Sequence, residues 1–210
     1  MSIKFHARLN QKRDELFVVA RGDDRPNIIA EVTGLLETEG LYVSSIAFNL
    51  SAPEQDQFLM EIVAKGPERK LEKALLAFDS DLIFADTPGS TQRWPKIRWS
   101  RASMFHIGLN TPDRAGIVAA ISRIVGAANA PSASAVEPMA GSFVHLLGMI
   151  DDSGNSAQGS TPYFILRANV AAQNRQTRDA IIDHLKRSAN ELGFGADDLW
   201  IVPLDPPTKA

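Results

Sequence analysis

The segment DDRPNIIAEVTGL, Asp23 to Leu35, returns 89 residues later as PDRAGIVAAISRI, Pro112 to Ile124. With Asp24–Leu36 set against Asp113–Val125, four pairs are identical: Asp24/Asp113, Arg25/Arg114, Ile28/Ile117 and Ala30/Ala119. Ile29/Val118, Val32/Ile121, Thr33/Ser122, Leu35/Ile124 and Leu36/Val125 are conservative replacements. Two unrelated amphipathic helices would share the apolar spacing, but not the Asp-Arg in front of it. The match marks an internal duplication, so this chain of 210 residues has to fold as two similar units.

Each copy reads as a strand turning into a helix. Ile28, Ile29, Val32, Leu35 and Leu36 form one helical stripe, which Ile117, Val118, Ile121, Ile124 and Val125 repeat. The strand-like runs ELFVVARG (Glu15–Gly22) and MFHIGLN (Met104–Asn110) stand just upstream. Asp24 is placed to cap the first helix, Pro26 suits its first turn and Gly40 suits its end. Beyond it, LYVSSIAFNLS and QFLMEIVAK alternate as two strands of a hairpin, and PERKLEKALLAFD is helical, with Leu71, Ala74, Leu75 and Phe78 inward. DLIFAD, Asp81 to Asp86, closes the unit as its fourth strand. The order βαββαβ is the split βαβ plan, an α+β fold in which a four-stranded antiparallel sheet carries two helices on one face.

The second unit keeps that order in TPYFILRANV, RQTRDAIIDHLKRSANELGF and DDLWIVPL. It spends 32 residues between Asn129 and Pro162, where the first spends 16 between Gly40 and Gln57. An insertion therefore lies around residues 130–161, and two places remain open for the second strand, Ser132–Met139 or Ser142–Ile150. The expected division is a first domain over 1–87, a linker over 88–101 and a second domain over 102–210.

Composition removes several function classes. There is no cysteine, so disulfides, thiolate metal sites and a cysteine nucleophile are excluded. The net charge of −3 and the lack of any Lys/Arg cluster argue against direct nucleic-acid binding. His6, His106, His145 and His184 are scattered without metal-ligand spacing. No apolar run has the length of a signal peptide or a membrane span, which points to a cytoplasmic chain. No nucleophile elbow, phosphate-cradling loop or HExxH helix is present, so neither an enzyme nor a cofactor is expected.

The corner D-x-R-P-x-I in this strand–helix order resembles that of ACT domains, whose usual signature here is similar to Asp-Arg-Pro-Gly-Ile. Two such units in one chain resemble the glycine cleavage system transcriptional repressor group. Formyltetrahydrofolate deformylases also resemble the first half, but their separate catalytic domain is replaced here by the second unit. The resemblance implies a regulatory protein that binds a small, glycine-like amino acid at domain interfaces. It also implies control of a transcriptional regulator or metabolic enzyme, and self-association into a homo-oligomer. The alternative is an interaction module or enzyme regulatory subunit that has lost its ligand.

The implied ligand residues are Asp23, Asp24, Arg25, Pro26, Asn27 and Ile28 in the first corner, and Asp113, Arg114, Ala115, Gly116 and Ile117 in the second. Helix-start N–H groups suit a carboxylate and the aspartates an ammonium group. The plainer role for Asp24 and Asp113 is helix capping. Each corner departs from the signature once, at Asn27 where glycine is usual and at Ala115 where proline is usual. Gly116 leaves room for a ligand, which favours the second corner.

Overall fold

Period-two alternation produces the sheet. In Glu15–Asp23, Gln57–Lys65 and Tyr163–Ala172 every second residue is buried, with Leu16, Val18, Phe58, Met60, Phe164 and Leu166 under the helices. The computed structural model describes residues 3–24, 27–52, 57–79, 102–127, 141–151, 162–195 and 197–204. The first half runs β1 (Lys4–Leu9), β2 (Glu15–Asp23), α1 (Ile28–Thr38), β3 (Tyr42–Ala52), β4 (Gln57–Lys65) and α2 (Glu68–Asp79). The second runs β5 (Ser103–Pro112), α3 (Ile117–Ala127), β6 (Gly141–Asp151), β7 (Tyr163–Ala172), α4 (Arg175–Glu191) and β8 (Leu199–Pro203). Within the stretch 130–161, the second strand thus takes the later of the two places left open.

The two halves share one antiparallel sheet, in the order β1-β2-β4-β3-β6-β7-β5-β8. β3 and β6 join them, with Ala47 opposite Leu147 and Asn49 opposite His145. The second half, β8-β5-β7-β6, has the strand order of a ferredoxin-like βαββαβ unit. The first half has the same four positions, but its outer place belongs to β1, which pairs along β2 from Leu9↔Leu16 to Lys4↔Arg21. That edge was expected to hold 81–86, a segment outside the described residues, as are the linker and most of the insertion. β1 presents Phe5 to Phe78 of α2 with ring centroids 5.6 Å apart. Its hairpin returns through Arg13, in left-handed backbone, whose guanidinium pairs with Glu68 and Glu72 of α2.

α1 ends as expected at Gly40, φ +65°. Gly40 N–H bonds Glu37 O and Leu41 N–H bonds Leu36 O, the paired closure of a Schellman motif. At the seam, a Cβ on Gly148 of β6 would stand 2.7 Å from Phe164 Cζ and 2.9 Å from Ile46 Cγ2. The missing side chain lets core residues of β3 and β7 close over the join. Gly148→Val should overpack this place and lower unfolding free energy by about 1–3 kcal/mol. The check is urea denaturation, where the midpoint falls and the slope stays that of the parent.

Candidate functional site

Both strand-to-helix corners lie at the junction of the halves, at opposite ends of the α1–α3 contact, each against the last turn of the other helix. Asn27 and Gly116 are equivalent across the 89-residue repeat, and both adopt left-handed backbone, at φ +66° and +86°. Asparagine is among the few side-chain-bearing residues that tolerate this region, so the first corner keeps the glycine-type turn without a glycine.

The side chain that replaces glycine there has a matching space. A Cβ on Gly126, in the last turn of α3, would collide with Asn27 Oδ1, so the amide of Asn27 lies over Gly126. The mirror contact reverses the roles: a Cβ on Gly116 would collide with Glu37 Oε1, from the last turn of α1. Between them, Arg123 Nη2 lies 3.3 Å from the place of a Cβ on Gly34 and pairs with Glu37 Oε2. Positions 27, 34 and 37 correspond to 116, 123 and 126, so the contacts obey an approximate two-fold relation between antiparallel helices. At each equivalent pair one copy has glycine and the other a side chain that fills the space.

Other corner residues take varied roles. Asp24 does not cap α1. The N-cap is Asn27, with no side-chain capping bond, and Asp24 Oδ2 accepts a hydrogen bond of 2.7 Å from Ser142 Oγ at the start of β6. The three residues between Asp24 and the first helical residue put its carboxylate too early for a cap, and it ties the first corner to the second half instead. Asp113 is held by its backbone N–H, 2.7 Å from Pro162 O. Arg114 stacks over Phe194, 5.3 Å from the ring centroid, beside Gly193. Ile28 and Ile117 are buried core residues that anchor their helices. Asp23 pairs with Gln57 in the β2–β4 ladder, and Ala115 is exposed in the turn before α3. Arg25 and Pro26 lie outside the described residues.

A cleft opens at the second corner, between Thr33 and Glu37 of α1, Val43 of β3 and Asp113, Arg114 and Gly116. Its open space is about 270 Å3 including the mouth, below the usual range of ligand pockets of about 300–1,000 Å3. The enclosed part has room for about one water molecule, and Glu37 is among the residues that line it. The repeat and its turn chemistry mark one wall of this cleft. Glu37 carries no motif, and only the contact between α1 and α3 brings it into the cleft, with Arg123 paired to it from α3.

The Asn27–Gly126 contact predicts strong non-additivity. Gly126→Ala alone should destabilise the chain by about 1 kcal/mol or more, since its methyl has to displace the Asn27 amide. In an Asn27→Gly background the same change should be neutral or stabilising, by up to about 1 kcal/mol of helix propensity. A double-mutant cycle by chemical denaturation checks this, with an expected coupling of about 0.5–3 kcal/mol.

Neither a family model nor a curated relative matches the chain. Solved structures do. Aspartate kinase from Synechocystis matches with 17% identity and a TM-score of 0.55, over 90% of this chain and 28% of the kinase chain. The chain therefore spans little more than a quarter of that protein. An unknown protein from Galdieria sulphuraria matches with 15% identity and a TM-score of 0.40, over 91% of this chain and 99% of that one. A candidate glycine cleavage system transcriptional repressor matches with 12% identity and a TM-score of 0.36, over 92% and 98%. At these identities the likeness is one of fold. The chain has a tandem ferredoxin-like α+β architecture, with the two units joined side by side in one sheet.

Proposed function

We propose that this chain is a regulatory protein, without catalytic activity of its own, that senses a small, glycine-like amino acid at the second corner. The observation that carries the reading is the cleft between α1 and α3, where Asp113 and Gly116 of one unit face Thr33 and Glu37 of the other. An α-amino acid carries opposite charges a few ångströms apart. The first turn of α3 offers N–H groups to its carboxylate, and Asp113 beside it suits its ammonium group. The small space favours glycine or a near homologue over a bulky side chain. Because the walls come from both units, occupancy would bias how they pack, which is what a sensor needs in order to pass a signal to a transcriptional regulator or metabolic enzyme. Further self-association of the chain belongs to the same proposal.

A second reading has its own support: Asn27 and Glu37 already fill the two corners. On that reading the chain is an interaction module or enzyme regulatory subunit without an effector.

Calorimetric titration with each of the twenty amino acids separates the two. The sensor reading expects saturable heat for a small amino acid at one site per chain. Gly116→Ala, whose methyl would stand in the cleft, should weaken it at least roughly tenfold. Absence of heat and of any thermal shift with all twenty would leave the interaction module as the function.

A further inference from the structure

Glu37 stands in the last turn of α1, at the negative end of that helix, where a carboxylate is unfavourable. Its side chain leaves its own helix end and lies against Gly116, at the positive end of α3, with Arg123 of α3 bound to its other oxygen. The Schellman closure fixes the backbone at this point, since Glu37 O accepts from Gly40 N–H. The equivalent residue of the second unit is Gly126, which has no side chain to send back, so the two corners are not filled alike.

We propose that Glu37 is a built-in occupant of the effector's carboxylate position, so that an amino acid enters the second corner only by displacing it. This rests on the sensor reading above and adds the residue that sets its threshold. The α-carboxylate of an incoming ligand competes with the Glu37 carboxylate for the space beside Gly116 and for Arg123. Displacement frees Glu37 from Arg123 and so removes an ion pair that joins α1 to α3. The bound and empty states then differ in a contact between the units, as coupling to a partner requires.

The test uses the full chain and its Glu37→Ala and Glu37→Gln variants, titrated with glycine, acetate and methylammonium, with thermal melts to establish that each variant is folded. Glycine and acetate are expected to bind Glu37→Ala roughly two- to fivefold tighter than the parent. Glu37→Gln should change in the same direction by less, because it keeps the shape but not the charge. Methylammonium should gain nothing in either variant. If glycine binds the parent but binds both folded variants equally or more weakly, Glu37 holds the ligand's ammonium group. The proposal is then overturned while the sensor reading stands. If no probe binds the parent or either variant, both fail.

Discussion

On a two-fold axis a residue meets its own equivalent, and two large side chains cannot share that space. In this chain the axis passes between α1 and α3, where Arg123 lies over Gly34, its counterpart 89 residues earlier. A dimer of identical units would need a small residue at both positions. A duplicated chain is free to place glycine in one copy and arginine in the other. The same freedom appears on either side of the axis, in Asn27 over Gly126 and Glu37 over Gly116. Close approach of the helices depends on these glycines, and the β3–β6 ladder below holds the halves in the register that brings them together.

Much of the architecture is legible because it rests on short-range rules. Alternation marks Phe58, Met60, Ile62 and Ala64 as a buried face, and all four are buried. Gly40 ends α1 in the left-handed geometry that its position implies. β1 was legible too, since Phe5, Ala7 and Leu9 alternate with Lys4, His6 and Arg8. Which segment pairs with β2 at that edge is a tertiary fact that alternation within β1 does not carry.

The corner shows the opposite limit. The motif reads as a ligand-binding turn with a helix-capping aspartate, and both Asn27 and Gly116 take left-handed backbone there. Asp24, however, reaches Ser142, which is 118 residues away and has no relation to it in sequence pattern. Glu37 looks like one more solvated charge in GLLETEG, and Gly126 like a weak point in a helix. Their meaning lies in what faces them across the junction, which periodicity within one helix cannot contain.

A site filled by the chain's own carboxylate has a definite thermodynamic character. Its apparent affinity is the intrinsic affinity reduced by the fraction of molecules in which the corner is open. The Glu37–Arg123 pair is partly exposed, with side-chain accessibilities of 35% and 54%, so screening keeps its own contribution to within about 1 kcal/mol. On the proposal above, an occupant held that weakly lowers the affinity of a ligand only by a small factor. The same exposure applies to Arg123, so on the proposal above its release from Glu37 leaves a solvated cation and not a buried charge without a partner.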